Sequence, residues 1–460
     1  MKKHYQLAVV GSGSGGQEAA LAAAKEGISV LLVEKATLGG TCLHHGCYPV
    51  RALRACAEAA KDRQLSSKFG LENGGSMVGL EKWLTIQRRV SARLTQDINN
   101  QLEKAGVTIR FAKASLTSRN ELRIASSHGE IEEIKADYVV VATGSRPAFE
   151  PRLSGTHYVN SDALLTRAEI PKHLLIVGGG YIGCEFASIF RSLGSVVTLV
   201  ERENRLLPTW DASLGRYIAD CLRSAGINIL LEHDMDFPSP GQTLDEPLIV
   251  LENGIRINPD LVLAAIGRKP NIEDLGLENL GIETNPFVVV NEQLQTSCPT
   301  IFAVGDINGL SLLDSSAVAQ ARIAVGAIFG RKEPFSARWI PRCIHTDPPI
   351  ASIGWNEEEA NTAGLEVISH CQTFRLVTDD ERTVVNPLPT MVKVLLQPES
   401  RQIIGVHVVG THAAEIVNLA SIAARTGLTL DQLLQVPLVH PSATEVFQEC
   451  AKGLGKVPAG

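Results

Sequence analysis

The 460-residue chain lacks the features that mark membrane proteins and nucleic-acid-binding proteins. No apolar run approaches the roughly 20 residues that a membrane-spanning helix needs. Positive charge is not in excess: 43 Lys and Arg residues against 50 Asp and Glu residues leave a net charge of −7, and the pI is near 6.0. This balance argues against nucleic acid and anionic membrane as partners.

A disulfide framework is also missing from the sequence. The nine cysteines are an odd number and, apart from Cys42 and Cys47, are scattered along the chain, which favours a reducing compartment. The apolar run before the first glycine-rich turn is too short for a signal-peptide core. We therefore expect a cytoplasmic protein, whose length and 44% hydrophobic content are sufficient for two to four packed domains.

Residues 39–51, GGTCLHHGCYPVR, hold the chemistry-bearing pair Cys42 and Cys47. Two close thiols can bind a metal, form a structural disulfide, or cycle between dithiol and disulfide. A zinc-type site needs a second Cys or His pair, and His44 and His45 lie too close to the cysteines to serve as one. A disulfide closing so short a loop would stabilise little. The neighbouring nucleotide-binding pattern favours a redox dithiol, and we predict no metal site.

The chain opens with a pattern that predicts dinucleotide binding. A strand over residues 5–10 leads to Gly11, Gly13 and Gly16, and a helix and a second strand ending at Glu34 follow. The first glycine allows the tight turn, the second lets the backbone approach a pyrophosphate, and the third lets helix and strand pack closely. Glu34 lies 34 − 11 = 23 positions after the first glycine, where a carboxylate can accept from ribose hydroxyls.

Residues 174–201 repeat this pattern with Gly178, Gly180, Gly183 and, at the same offset of 201 − 178 = 23, Glu201. Two such units with a dithiol between them predict two different dinucleotides. An acid at the strand end favours the free 2′-hydroxyl of NAD.

Two arginines near this acid leave NADP as the less favoured cofactor. Arg202 and Arg205 follow Glu201 closely, and NADP sites usually place an arginine in this region.

Between the two units the sequence predicts two helices. One runs from Leu43 to Lys61 with a kink near Pro49, and residues 66–79 read as a loop. The second covers residues 80–105, and its predicted buried stripe is Leu80, Trp83, Leu84, Val90, Leu94, Ile98 and Leu102.

Small residues and acids after buried strands mark further candidate contacts. Thr143 and Gly144 follow the strand YVVVA and would let a backbone approach a cofactor. Asp306 follows the strand PTIFAV, where it can hold a sugar-alcohol chain. A helix is predicted over residues 315–329, and from about residue 335 a mixture of strands and helices predicts a third domain.

Near the end of the chain, His440 precedes a proline and Glu445 follows five positions later. A histidine in this context is more often a turn residue. A carboxylate across a helix start can instead orient it as an acid–base group.

The order of these motifs resembles the flavoprotein disulfide reductases, a class of pyridine nucleotide-disulfide oxidoreductases. The matching segments are GSGSGG with Glu34, GGTCLHHGCYPVR, ATGSRP, GGGYIGCEFA with Glu201, GRKPN, AVGDI and HPSATE. The resemblance implies an α/β fold with two Rossmann-like domains and a C-terminal α+β dimerisation domain. The expected divisions are residues 1–145 and 268–334 for FAD, 146–267 for NAD, and 335–460 for dimerisation.

The resemblance also implies roles for individual residues. Cys42 would exchange with substrate, Cys47 would face the flavin, and His440 held by Glu445 would act as the acid–base on the partner subunit of a homodimer. The implied FAD-side residues are Gly11, Gly13, Gly16, Glu34, Arg51, Thr143, Gly144 and Asp306. The implied NAD-side residues are Gly178, Gly180, Tyr181, Gly183, Glu185, Glu201 and Gly267.

Within the family, Gly183 and Glu201 favour the NAD-linked dihydrolipoamide dehydrogenase branch. The active-site stretch departs from the family pattern, because Arg51 replaces a lysine that in relatives pairs with a glutamate matching Glu185, and Val50 replaces a serine. Asp314 with Ser315 also replaces a common Ala-His pair.

Three functions follow from this pattern. The leading hypothesis is an enzyme that acts on a lipoyl-type dithiol, and the first alternative is an NAD(P)H-dependent reductase of another small disulfide or of mercuric ion. The second alternative is a FAD-binding redox regulator without disulfide turnover.

Overall fold

The computed structural model describes residues 2–65, 79–148, 157–235, 249–251, 254–375 and 389–454. The chain divides into two compact units. The first comprises Met1–Glu150, Asn160–Glu169 and Gly267–Ala337, and the second comprises Pro151–Val159, Ile170–Ile266 and Arg338–Gly460. The first unit contains both segments predicted to form the FAD-binding domain, while the three-domain division stays a prediction.

Helices and strands are numbered here in chain order. The α-helices are α1 (Ser14–Lys25), α2 (Gly40–His44), α3 (Cys47–Leu65), α4 (Glu81–Lys104), α5 (Ser161–Leu164), α6 (Tyr181–Ser192), α7 (Ala212–Ser224), α8 (Asp314–Ile328), α9 (Glu357–Thr362), α10 (Ala413–Arg425), α11 (Leu430–Leu434) and α12 (Val446–Gly453). Short 3₁₀ turns cover Glu278–Leu280, Gly305–Asn308, Ala337–Trp339 and Ala443–Glu445.

The strands are β1 (Lys3–Val10), β2 (Val30–Glu34), β3 (Thr108–Phe111), β4 (Lys113–Ser118), β5 (Glu121–Ala125), β6 (Ile131–Val141), β7 (Ser145–Pro147), β8 (Tyr158–Val159), β9 (His173–Val177), β10 (Val196–Glu201), β11 (Asn228–Leu231), β12 (Ile249–Val250), β13 (Arg256–Ile257), β14 (Leu261–Ala264), β15 (Arg268–Pro270), β16 (Ile301–Ala303), β17 (Arg342–Ile344), β18 (Ile350–Gly354), β19 (Ile368–Arg375), β20 (Pro389–Leu396) and β21 (Ile403–Val409).

The main sheet of the first unit is parallel at its centre. Its order is β3-β2-β1-β6-β5-β4, with β16 also paired to β6. Strands β3, β2, β1, β6 and β16 run parallel, and β5 and β4 are added antiparallel. Strands β2 and β16 and the ends of β1 (LAVV) and β6 (VVV) are nearly continuous apolar runs that are buried, as the centre of a parallel sheet requires. Ala19, Ala20 and Ala23 of α1 are fully buried in the same core as Leu7 and Val9, so small side chains bring the helix close to the sheet.

The second unit contains two different sheets. The parallel sheet has the order β11-β10-β9-β14-β8 and repeats the strand–helix–strand pattern of the first unit. The antiparallel sheet has the order β17-β18-β21-β20-β19, and a core shared with α10 and α12 covers it. The mixed texture predicted after residue 335 is therefore confirmed, as is the prediction of an α/β protein with Rossmann-like sheets.

Two local predictions about helices are wrong. The helix predicted from Leu43 to Lys61 is divided into α2 and α3 at His45 and Gly46. Pro49 is the third residue of α3, a position whose N–H has no partner within a helix, so α3 accommodates the proline in its first turn. Val90 of α4 is 44% exposed, and the neighbouring Ser91 is buried instead. Ser91 Oγ donates a hydrogen bond to Leu43 O at 3.2 Å.

Other helix predictions are confirmed. The helix predicted over residues 80–105 is α4, and Leu80, Trp83, Leu84 and Leu102 are buried as expected. The helix predicted over residues 315–329 is α8. The predicted loop at residues 66–79 lies outside the described residues except for its last position. No helix among the described residues is long and apolar enough to cross a membrane.

Candidate active site

The first glycine turn has the geometry that a bound pyrophosphate requires. Gly11 has a φ of +100°, and a Cβ there would lie 2.4 Å from Ala142 O. A Cβ on Gly16 would lie 1.9 Å from Gly11 O, whereas a Cβ on Gly13 would meet nothing within 4 Å. Gly11 and Gly16 thus pack the turn closely, and Gly13 leaves open space at the start of α1.

The start of α1 offers free backbone donors to this space. Gly13 is the N-cap of α1 and supplies no side-chain acceptor, and no acidic residue lies in the first turn. The first N–H groups of a helix have no partner within it, and the helix dipole adds partial positive charge. This arrangement fits the phosphates of a dinucleotide.

Glu34 holds the first turn from the end of β2. Its Oε2 accepts hydrogen bonds from Ser12 N at 2.9 Å and Ser12 Oγ at 2.6 Å. Its Oε1 accepts one from Ala36 N at 2.9 Å, which leaves this oxygen capacity for a further donor. The predicted ribose acceptor therefore also shapes the glycine turn, a role that the sequence prediction did not include.

The second glycine turn repeats the first in detail. Gly178 has a φ of +106°, and a Cβ there would lie 2.5 Å from Ala265 O. A Cβ on Gly183 would lie 1.9 Å from Gly178 O, and a Cβ on Gly180 would meet nothing within 4 Å. Gly180 is the N-cap of α6 without a side-chain acceptor. The second turn can therefore hold a second dinucleotide phosphate in the same way.

Glu201 occupies the equivalent position at the end of β10. Its Oε2 accepts a hydrogen bond from Gly179 N at 2.6 Å, and its Oε1 accepts one from Glu203 N at 2.8 Å. The side chain is buried, as is that of Glu34. Both dinucleotide units thus fasten their glycine turn to the acid that ends the second strand.

The two arginines that complicated the cofactor prediction differ in their surroundings. Arg205 Nη1 and Nη2 donate to the two carboxylate oxygens of Glu358 at 2.9 and 2.6 Å. Arg202 has a side chain that is 72% exposed, and its Nε lies 3.3 Å from a carboxylate oxygen of Glu203.

The remaining predicted NAD-side residues are Tyr181 and Glu185 in the second unit and Gly267 in the first. Tyr181 is the first residue of α6. Glu185, one turn later, accepts a hydrogen bond on Oε1 from His345 N at 3.2 Å. Gly267 has a φ of +112°, and a Cβ there would meet nothing within 4 Å. Its carbonyl accepts a hydrogen bond from Ala148 N at 2.9 Å.

Asp306 is held by two side chains that the sequence prediction missed. Ser145 Oγ donates to Asp306 Oδ2 at 2.6 Å. Arg268 Nε donates to Ser145 Oγ at 2.7 Å and lies 3.9 Å from Asp306 Oδ2. Burial raises the pKa of Asp306. Ser145 belongs to the motif ATGSRP and Arg268 to the motif GRKPN. Each directly follows a glycine that the sequence analysis named, Gly144 or Gly267, and this position was the signal that could have identified it.

Thr143 is held by Asn271, the last residue of the motif GRKPN. Thr143 Oγ1 donates to Asn271 O at 2.7 Å, and Asn271 Nδ2 donates to Thr143 O at 2.8 Å. Gly144 has a φ of +69°, and a Cβ there would meet nothing within 4 Å. This short segment therefore presents open backbone next to Asp306.

The two cysteines of the redox stretch lie beside each other across the junction of two helices. Cys42 belongs to α2, and Cys47 is the first residue of α3. Both are free thiols, with Cys42 partly buried and Cys47 exposed. The pKa of Cys42 is raised, first by hydrogen bonding with Cys47, then by burial, and further by the charge of Asp314. Two neighbouring thiols are the arrangement that a reversible disulfide requires.

The histidines between the cysteines do not form a metal site. His44 Nε2 hydrogen bonds with Leu38 O at 2.9 Å, so this ring turns towards the backbone. Among the residues that the structure describes, no group of three or more His, Cys, Asp or Glu side chains could hold a metal ion. Arg51 lies on α3 one turn after Cys47.

His440 and Glu445 form an oriented pair in the second unit. His440 Nδ1 lies 2.7 Å from Glu445 Oε1, and the histidine side chain is 82% exposed. The hydrogen bond from His440, together with one from Ser442 N at 3.1 Å, lowers the pKa of Glu445. A carboxylate on Nδ1 leaves Nε2 to take or give a proton. The geometry therefore fits the acid–base interpretation of His440.

Comparison with known proteins agrees with these features. The chain matches the family described as pyridine nucleotide-disulphide oxidoreductase over residues 5–327, and the dimerisation domain of that family over residues 340–451. Dihydrolipoyl dehydrogenase from Chlorobaculum tepidum is 33% identical over 453 residues, which cover 97% of this chain and 96% of that protein. A dihydrolipoyl dehydrogenase from Bacillus subtilis is 32% identical over 452 residues, which cover 96% of this chain and 97% of that protein.

A solved structure with a similar fold is that of the HOCl-induced flavoprotein disulfide reductase RclA from Escherichia coli. It is 25% identical, has a TM-score of 0.83, and the alignment covers 97% of this chain and 99% of that chain. A Cu(II) complex of the same protein has a TM-score of 0.83 and the same coverage. With two repeated glycine turns, a contacting dithiol and matches along nearly the whole chain, this protein belongs to the pyridine nucleotide-disulphide oxidoreductase family, the flavoprotein disulfide reductases.

Proposed function

We propose that this protein is a FAD-dependent, NAD-linked oxidoreductase that oxidises a dihydrolipoyl-type dithiol. The observation that carries the proposal is the hydrogen-bonded pair of Cys42 and Cys47 at the junction of α2 and α3. This pair lies in the same unit as the first glycine turn. Relatives named dihydrolipoyl dehydrogenase cover nearly the whole chain, which supports the lipoyl-type substrate.

The dithiol reaction balances without any further reactant. One thiolate of the substrate attacks Cys42 of the Cys42–Cys47 disulfide, and Cys47 leaves as the thiolate. The second substrate thiol then attacks the mixed disulfide and releases Cys42. The substrate loses two electrons and two protons and becomes a disulfide. NAD⁺ receives the two electrons and one proton as NADH, and the second proton is released to solvent.

His440 supplies the proton transfer that this exchange needs. A thiol is a poor nucleophile until it is deprotonated, and imidazole accepts a proton near neutral pH. Glu445 on Nδ1 stabilises the protonated ring and leaves Nε2 as the exchanging atom. We place this pair at the dithiol of the partner subunit in a homodimer, since residues 340–451 match the family's dimerisation domain.

The two glycine turns are suited to two different cofactors. We assign FAD to the turn of Gly11, Gly13 and Gly16, with Glu34 and Asp306 as further contacts. The assignment is supported by the open space at Gly13 and by the uncapped start of α1. When bound, the flavin would carry the electron pair from the dithiol to the nicotinamide ring of NAD⁺. Thr143, Gly144 and Arg51 are proposed to lie on the FAD side.

We assign NAD to the turn of Gly178, Gly180 and Gly183. The carboxylate of Glu201 at the strand end supports NAD over NADP, because it would repel a 2′-phosphate. The engagement of Arg205 with Glu358 supports the same choice. Tyr181, Glu185 and Gly267 are proposed to line the nicotinamide side.

A second candidate function is the NAD(P)H-driven reduction of another disulfide or of a metal ion. The likeness to the flavoprotein disulfide reductase RclA and to its Cu(II) complex favours it. Arg51, Val50 and Asp314 alter the surroundings of the dithiol relative to the family pattern. Such changes would affect the choice of substrate more than the exchange chemistry.

An anaerobic titration of the purified holoenzyme distinguishes the two candidates. Dihydrolipoamide is added to one sample and NADH to another, and the long-wavelength absorbance of a Cys47 thiolate beside oxidised flavin is followed. We expect both reductants to produce it. A third sample receives NADPH. A response to NADH or NADPH but not to dihydrolipoamide supports the second candidate, and a response to none of the three excludes both.

Two variants make the titration specific. Cys47→Ser should abolish the long-wavelength absorbance while flavin stays bound. Cys371→Ser removes another exposed thiol and should leave the titration unchanged.

A further inference from the structure

Arg205 lies on a loop that the glycine turn itself holds in place. Leu207 N donates a hydrogen bond to Gly179 O at 2.9 Å. The Cδ2 atom of Leu206 would lie 2.6 Å from a Cβ on Gly179. Residues 202–207 therefore fold against the second glycine turn. They directly follow Glu201, the acid that would contact the ribose of a bound dinucleotide. The backbone that carries Arg205 is thus anchored close to the ribose end of this site.

The guanidinium of Arg205 makes three hydrogen bonds within the second unit. Nη1 and Nη2 donate to Glu358 Oε1 and Oε2 at 2.9 and 2.6 Å, and Nη2 also donates to Pro208 O at 3.0 Å. This two-fold pairing uses the same fork of donors that an arginine offers to a phosphate. While Glu358 holds them, the paired Nη1 and Nη2 donors of Arg205 are not available to a phosphate, and its Nε is buried.

The partner carboxylate is placed by a different part of the second unit. Glu358 is the second residue of α9, and the N-cap Asn356 accepts a hydrogen bond from Glu359 N at 2.7 Å. The side chain of Glu358 is 52% exposed and that of Arg205 is 21% exposed. Because both side chains reach solvent, the strength of this two-fold pair is reduced by salt.

We propose that Glu358 is a specificity-determining residue that selects against a 2′-phosphorylated dinucleotide by engaging Arg205. The proposal rests on the proposed binding of NAD(H) at the Gly178 turn. Glu201 contributes repulsion of a 2′-phosphate, and Glu358 removes the nearby cation that could compensate for it. Loss of Glu358 frees Arg205 to pair with the 2′-phosphate. The remaining cation on this loop, Arg202, is already near Glu203.

The test compares binding of NADH and NADPH to the purified holoenzyme by calorimetry. The variant is Glu358→Gln, which keeps the shape of the side chain and removes its charge. We expect its affinity for NADPH to rise roughly tenfold relative to NADH, which is the change that one charge-assisted contact can supply. The gain should shrink at high salt, because screening weakens the new pair.

Two further variants show whether the effect acts through Arg205. Glu359→Gln removes a charge from the same helix, where Glu359 pairs with Arg338 at 2.8 Å, and should leave the ratio of affinities unchanged. In an Arg205→Met background, Glu358→Gln should have no effect on the ratio. The thermal midpoint of each variant verifies that it is folded.

The outcomes separate this proposal from the proposed function. If the wild type binds NADH and Glu358→Gln leaves the ratio unchanged, the proposal is overturned and the proposed function stands. A gain that persists in the Arg205→Met background also overturns it. If the wild type binds neither dinucleotide, the proposed function fails and this proposal fails with it.

Discussion

A buried lysine in the second unit offers a quantitative test of the packing between β20 and α7. Lys393 has a side chain that is 4% exposed. Its Nζ donates to Asp211 Oδ1 and Oδ2 at 3.1 and 2.9 Å and to Glu357 Oε2 at 2.5 Å. Asp211 is also the N-cap of α7, where it accepts from Ser213 N at 2.9 Å. Replacing Lys393 by Met keeps the length of the side chain and removes the charge.

The expected cost follows from what the substitution leaves behind. Asp211 is 1% exposed, so its carboxylate would become a buried charge without its ammonium partner. Breaking a buried ion pair from one side costs about 3–5 kcal/mol. The double variant Asp211→Asn, Lys393→Met removes the charges of both residues. It should recover about half or more of the unfolding free energy that Lys393→Met loses.

The sign of the pH dependence gives a second readout. Burial opposes ionisation of Asp211, but the charge of His407, once this histidine is protonated in acid, and the hydrogen bond from Lys393 outweigh it and hold the pKa of Asp211 below its usual value. This pairing contributes stability above the unfolded pKa of Asp, which is lost as the pH falls through the lowered folded pKa. Without Lys393, burial raises the pKa instead, so stability is lost as pH rises. The deficit of the variant should therefore be larger at pH 8 than at pH 5.

Denaturant unfolding of the holoenzyme, followed by circular dichroism at both pH values, measures this deficit. Lys452→Met is the control, because Lys452 is 71% exposed and pairs with Glu449 on the surface, where about 0–1 kcal/mol is expected. A loss for Lys393→Met below about 1 kcal/mol at pH 8 would refute the reasoning. So would a deficit that grows as the solution is acidified.

Three further predictions concern His407, Glu445 and Gly11. Burial lowers the pKa of His407 to about 4, below the unfolded value near 6.5, so the unfolded state binds more protons between these values. The unfolding free energy should fall by about 3 kcal/mol as the pH drops through this window. His407→Phe should flatten this pH dependence, as measured by denaturant titrations. An unchanged pH dependence in the variant would show that other groups cause it. Glu445→Gln should slow reduction of the enzyme by dithiol by roughly 10²-fold without changing its reduction by NADH, as measured by stopped-flow absorbance; equal slowing of both would contradict an acid–base role for His440. Gly11→Ala places a Cβ 2.4 Å from Ala142 O and should yield protein purified with little flavin, measured as the ratio of flavin to protein absorbance; full flavin content would contradict the close packing of the turn.

Sequence patterns were sufficient wherever the physical requirement is local. A glycine at a φ of about +100°, as at Gly11 and Gly178, is required by the backbone alone, so the spacing of glycines identified both turns. The apolar runs of β1 and β2 and the small residues of α1 predicted a helix packed on a buried parallel sheet for the same reason. His440 and Glu445 are close enough in the chain for their pairing to be anticipated.

Other features depended on residues far apart in the chain, and only the tertiary structure decided them. Helical periodicity suggested Val90 for the buried face of α4, yet Ser91 is buried because Leu43 O lies within reach of its hydroxyl. Lys393 reads in the sequence as an ordinary polar residue within a strand, and its burial depends on Asp211, 182 positions away.

The direction of a side chain was likewise beyond the sequence. Arg205 stands four positions after Glu201 and suggested a possible phosphate ligand, but 153 positions separate it from Glu358, the residue with which it pairs. Residue spacing and motif order were enough to predict the two dinucleotide turns, the dithiol and the family. Which charges are paired could be read only from the folded chain, because pairing depends on distances in space that no local pattern encodes.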